Sequence, residues 1–281
     1  MMKRFTRPAA ALLAALLLLS LCACSKSPAI SITAAEAKLS GLNSMSYNMD
    51  TTMTMSYGGQ SMGITATIQA DYVAKPLVVR MQVSAATDTD GTDNTQNMQM
   101  YVVQDGSAYT AYTSADDGAT WTSQTLPDAS QAAQYDVKSS LGLYIDSAKT
   151  FTENGTEQVN GSNATRFDGE IPADALSQVL TASGMSQQFD ALGLGDIGSD
   201  LFSGMDSMPI SIWVDQQSGY PVRYQMDMTS MMSALINNLM SQAGSAAAAD
   251  SFSFDNVIVN VTMSNFNTIG KLEVPAAALN S

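Results

Sequence analysis

The chain has 281 residues, with 12 lysines and arginines against 26 aspartates and glutamates, a formal net charge of −14, no histidine and two cysteines. So acidic a surface repels nucleic acid, and the missing residue types exclude a Ser-His-Asp triad, a Cys-His pair and a His-ligated zinc site. Carboxylates, tyrosines, serines and a few lysines remain for chemistry, with no compact acidic pair of the kind a glycosidase needs. The chain is therefore expected not to be an enzyme, and no cofactor or metal is expected.

Lys3, Arg4 and Arg7 precede an apolar run from Ala9 to Leu19, too short for a permanent membrane span. Residues 1–23 thus read as a secretory signal, to be set aside in fold reasoning. Leu21-Cys22-Ala23-Cys24 resembles the lipobox of bacterial lipoproteins. That resemblance implies a diacylglyceryl group on Cys24, whose two chains hold where one does not. The expected location is the extracytoplasmic face of the cell membrane, reached by this anchor. Residues 24–35, with Pro28, read as a tether, and 36–281 as a single domain with no break strong enough to divide it.

Ala34–Leu42 predicts a brief helix. The period then changes to two. Met45, Tyr47, Met49, Thr51, Met53, Met55 and Tyr57 alternate with Ser46, Asn48, Asp50, Thr52, Thr54 and Ser56, which predicts a long half-buried strand. Gly58-Gly59 signals a hairpin turn, and Met62–Tyr72 repeats the alternation. Further strands are expected at Leu77–Val83, Met98–Val102, Ala108–Ser114 and Ala119–Gln124, the last two around Asp117-Gly118. Such repeated turns between alternating runs point to an antiparallel meander.

Residues 128–147 read as partly helical. Phe151–Gln158 and Asn163–Glu170 pair across Asn160-Gly161, and Pro172 opens a helix over Ala173–Ala182. Met185, Phe189 and Leu192 keep helical spacing among glycines. Strands resume at Pro209–Asp215 and Tyr220–Thr229, followed by a helix over Ser230–Gln242 and a closing strand over Ser251–Phe266.

A long, strongly curved antiparallel sheet with one or two helices resembles the lipoprotein-carrier (LolA-like) fold and the lipid-binding envelope lipoproteins of the LppX/LprG type. Ser211-Ile212-Trp213-Val214-Asp215 and Ser218-Gly219-Tyr220-Pro221-Val222-Arg223 are similar to those families' late hairpin. The resemblance implies an α+β half-barrel with helices covering its concave face and acyl chains held between them, without catalytic residues.

Nineteen methionines are the unusual ingredient. Methionine is flexible and polarizable, and it suits surfaces that adapt to varied apolar partners. The expected ligand cavity is walled by Met49, Met53, Met55, Ile64, Ile68, Met81, Met100 and Met226 and capped by Leu235, Ile236 and Leu239. The alternative is a solid core whose polar outer face meets another envelope protein or a cell-wall polymer. Asp88–Asn94 carries oxygen ligands at alternate positions with a glycine, as calcium prefers, but these residues equally suit an exposed hairpin loop.

Overall fold

The computed structural model describes residues 28–89, 92–126, 132, 135–148, 150–182, 207–242 and 252–281. The signal segment, Cys24 and the Met185–Leu192 region lie outside the described residues. In chain order the elements are α1 (Pro28–Ser40), β1 (Ser44–Tyr57), β2 (Gln60–Ala74), β3 (Leu77–Thr89), β4 (Thr92–Asp105), β5 (Ala108–Ser114) and β6 (Thr122–Leu126). There follow α2 (Val137–Ser147), β7 (Phe151–Val159), β8 (Ser162–Pro172), α3 (Ala173–Ala182), β9 (Ser207–Asp215), β10 (Pro221–Asp227), α4 (Thr229–Gln242), β11 (Phe252–Ser264) and α5 (Ala276–Leu279).

The strands form one open antiparallel sheet in the order β6-β5-β4-β3-β2-β1-β11-β10-β9-β8-β7. The chain enters at the centre, walks outward hairpin by hairpin to β6, starts again at the opposite edge with β7, and walks inward until β11 pairs with β1. Local turn chemistry drives both walks. Gly58 and Gly59 have φ of 58° and 84°, and Asn160 and Gly161 have 51° and 80°. Two successive positive values are what a tight hairpin demands. Register shifts at Thr54/Met55, Glu153/Thr156 and Pro221/Arg223 bend the ribbons, as bulges do.

Three expectations change. The strand expected over Ala119–Gln124 covers Thr122–Leu126. The first helix starts at Pro28, inside the segment read as tether, because proline is well tolerated in a first helical turn. β3 and β4 also run farther than expected, pairing Asp88 with Asp93 and Thr89 with Thr92. Asp88–Asn94 is therefore mostly ladder, with only Asp90 and Gly91, outside the described residues, between the strands. Small and polar residues such as Ser84, Ala85 and Ala86 hid this extension, since it is their partners on β2 and β4 that hold them in strand.

One face of the sheet carries the main core. Met45, Tyr47, Ala70, Tyr72, Val79, Met81 and Val102 join Phe167, Ile171, Ile210, Ile212 and Tyr224 there. Ile32, Ala35 and Leu39 of α1, Val137, Leu141 and Ile145 of α2, Leu176 and Val179 of α3 and Met231 of α4 belong to the same cluster. These helical residues thus share one core cluster with residues of the sheet's apolar face. On the opposite face a small second cluster gathers Val159, Ala164, Trp213 and Val222, with Phe266 against it.

Candidate apolar ligand face

Alternation along β1 places Met45, Tyr47, Met49, Met53 and Met55 on the core side, but their burial is graded. At the start of the strand Met45 and Tyr47 are buried. Towards the Gly58-Gly59 turn, Met49, Met53 and Met55 are only half-buried. The same gradient runs along the neighbours. Ala70 and Tyr72 of β2 are buried, while Ile68, Ile64 and Met62 are half-buried; Val79 and Met81 of β3 are buried, while Val83 is not. The dry core therefore continues, on the same face, into a strip of methionine and isoleucine still partly in contact with water.

Cross-strand register assembles that strip. Met49 lies between Ile68 and Val261, Met53 between Ile64 and Val257, and Met55 opposite Met62. Ile68 faces Val83, which faces Met98, and Met81 faces Met100. Five of the expected residues, Met49, Met53, Met55, Ile64 and Ile68, are brought together on adjacent strands, and Met100 stands half-buried on β4. Met81 and Met226 belong instead to the packed core, and Leu235 is buried. Ile236 is half-buried, and the side chain of Leu239 lies outside the described residues.

A hollow of about 550 Å³ lies at the β4 edge, where Val83, Ala85 and Met98 meet Ala115 and Asp117 beyond β5. None of the residues expected to wall a cavity lines it. No helix among the described residues is long and apolar enough to cross a membrane.

The packed end holds polar groups that alternation alone did not single out. Asp136 caps α2 by accepting from the backbone N–H of Lys138 and Ser139. Burial, reinforced by the Asp136 charge, pushes the Tyr47 and Tyr72 phenols far above the usual tyrosine range. Burial does the same to Tyr224, helped by Tyr144 and Tyr47, and the Tyr144 and Tyr224 rings meet edge-on at 6.0 Å. These hydroxyls stay protonated and uncharged within the core. An aspartate immediately before an apolar helical run was the available sequence signal for the cap.

The outer face has its own organisation. Arg166, Trp213 and Arg223 stand in one register row across β8, β9 and β10, and both guanidinium groups lie over the indole, at 5.2 and 4.3 Å. Asp168 and Glu157 neutralise Arg166. Among the described residues Arg223 donates to neutral oxygens, those of Asn260 and Gln225. In the late hairpin the Asp215 carboxylate closes the turn by accepting from the Ser218 N–H at 2.6 Å.

No curated protein matches the chain. Among solved structures it is similar to the Mycobacterium tuberculosis lipoprotein LppX, at 16% identity over 87% of this chain and 97% of that one, with a TM-score of 0.47. It is also similar to LprF from Mycobacterium bovis, at 15% identity over 88% and 95%, with a TM-score of 0.44. The profile of the family of unknown function DUF6612 matches residues 31–281, a span that takes in every strand of the sheet, and the chain belongs to that family.

Proposed function

We propose that this protein is an envelope lipoprotein, anchored through Cys24, that holds a lipid or other apolar ligand on the methionine face without catalysing a reaction. In this reading the open sheet bends into a half-barrel, and the helices cover its concave side. The observation that supports it is the half-buried strip of Met49, Met53, Met55, Ile64 and Ile68, which prolongs a dry core on the same face. An acyl chain laid there loses its contact with water, which is worth about 25 cal/mol per Å² of apolar area. Flexible thioether side chains let one surface accept chains of differing length.

The test is native mass spectrometry of the full chain after mild extraction. Lipid that co-purifies with the unaltered protein and is lost in Met53→Trp or Ile64→Trp supports the reading. A ligand-free chain, or bound lipid indifferent to both bulky substitutions, overturns it.

A further inference from the structure

The outer face carries a second, chemically opposite feature. Thr262 of β11, Asn48 of β1, Gln69 of β2, Gln82 of β3 and Gln99 of β4 stand in one register row. At about 4.8 Å per strand, that row spans on the order of 19 Å. Two hollows lie along it. One, of about 490 Å³, runs from Thr262 to Gln82; the other, of about 310 Å³, runs from Gln69 to Gln99; both are lined by Gln69 and Gln82. Together they make one groove crossing the strands.

The groove has defined ends and sides. At the β11 end Asn160, at the tip of the β7–β8 hairpin, overlooks it and is held there by donating from Nδ2 to the Met263 carbonyl at 3.2 Å. Along one side stands the Asp71–Arg80 ion pair. Beyond the β4 end, outside the lining of both hollows, stands a half-exposed aromatic ring, Trp121, packed on Tyr101 at 5.7 Å and fixed by donating from Nε1 to the Gly118 carbonyl at 3.0 Å. A Cβ on Gly118 would meet both Gln99 Oε1, at 3.6 Å, and Trp121 Cζ2, at 3.7 Å. The ring and the last amide of the row thus both lie beside Gly118.

Amide side chains both donate and accept, and one acceptor in the lining, Asn48 Oδ1, is buried with no partner among the described residues. Amides, hydroxyls and one ion pair make up most of the lining, with Tyr47 and Ala70 in the larger hollow and Val83 and Met98 in the smaller one, so the groove suits a ligand with both polar groups and apolar faces rather than an acyl chain. Asp71 is offset by Arg80, leaving Asp117 as the remaining charge in its lining. In a chain of net charge −14, an anionic polymer is repelled. A chain of neutral sugar units offers hydroxyls in both hydrogen-bonding roles and apolar C–H faces that stack on an aromatic ring, and it advances per unit by nearly the spacing of neighbouring strands. We propose that this groove binds a neutral polysaccharide, lying across the strands from Asn160 to Trp121, on the side of the sheet opposite the methionine face.

The experiment is titration of the full chain with neutral hexasaccharides (maltohexaose, cellohexaose and chitohexaose), read by the part of the tryptophan fluorescence that Trp121→Phe removes and by amide NMR shifts of the Gln69, Gln82 and Gln99 side chains. At least one sugar is expected to perturb these signals saturably at up to millimolar concentration. Gln82→Ala and Gln69→Ala, both at exposed positions, are expected to weaken binding about tenfold or more. No saturable response to any of the three sugars overturns the proposal, as does binding that survives both glutamine substitutions. Preference for an anionic polymer over all three also overturns it.

Discussion

Gly169 of β8 and Phe151 of β7 are cross-strand partners, and the Phe151 ring occupies the space where a side chain on Gly169 would begin. A Cβ built there would stand 2.7 Å from Phe151 Cε1 and 2.9 Å from the Thr150 carbonyl. The backbone oxygen cannot swing aside as a flexible side chain does. Gly169→Ala is therefore expected to cost about 1–3 kcal/mol, as overpacking does, measured by urea unfolding. A variant as stable as the parent would show that the β7 edge yields freely.

The two parts of the methionine face separate stability from binding. Met81 belongs to the packed core and Met53 to the half-buried strip. Met81→Ala is expected to cost about 2–5 kcal/mol. Met53→Ala is expected to cost less than half as much, yet to reduce co-purified lipid. Parallel denaturation and lipid analysis of both variants check this.

The Arg223 guanidinium lies 4.3 Å from the Trp213 ring centre, and Trp213 is almost fully buried. Arg223→Gln is expected to lose about 1–2 kcal/mol, since the cation–π contact is partly desolvated. Trp213→Ala is expected to lose about 3–5 kcal/mol. Urea denaturation in low salt reads both.

In the β5–β6 turn, Asp116 accepts hydrogen bonds from the Thr120 hydroxyl and N–H and from the Ser114 hydroxyl. These lower its carboxyl pKa from an ordinary 3.8 to about 2. The folded form therefore holds its proton less tightly than the unfolded form. The associated stability is complete above 3.8 and is lost as pH falls towards about 2. Thr120→Val is expected to return the Asp116 titration towards the ordinary carboxylate range in a carboxyl NMR titration.

The phenols of Tyr47, Tyr72 and Tyr224 have the opposite sign. Burial raises their pKa above the unfolded value, so their contribution is present below the ordinary tyrosine range and is lost as pH rises beyond it. Tyrosinate absorbance is expected to show these three ionising only as the chain unfolds in alkali. Tyr72→Phe, which removes one titrating phenol, is expected to shift that transition to higher pH.

Much of the fold was legible because its signals are local. Gly58-Gly59 and Asn160-Gly161 mark tight turns, the strict alternation of Met45–Tyr57 marks a strand, and Ala173–Ala182 follows the proline that opens it. Of the site, the alternation legibly assigned Met49, Met53, Met55, Ile64 and Ile68 to one face of a hairpin. It did not distinguish Met81 from Met53, because both occupy core-side positions and differ only in what lies above them. Thr89 and Thr92 as strand residues were not legible either, since their extended form depends on pairing with one another.

By itself the sequence determined the local units: which residues alternate, where the chain turns, which helices carry an apolar stripe, and which chemistries the absence of histidine rules out. Tertiary structure alone decided that β11 closes on β1, joining two meanders into one sheet. It also decided where along the methionine face burial gives way to exposure, and that Thr262, Asn48, Gln69, Gln82 and Gln99 share a row. The physical reason is that alternation is set within a few neighbouring residues. Register between strands far apart in the chain, and the burial it produces, arise only when their side chains pack together.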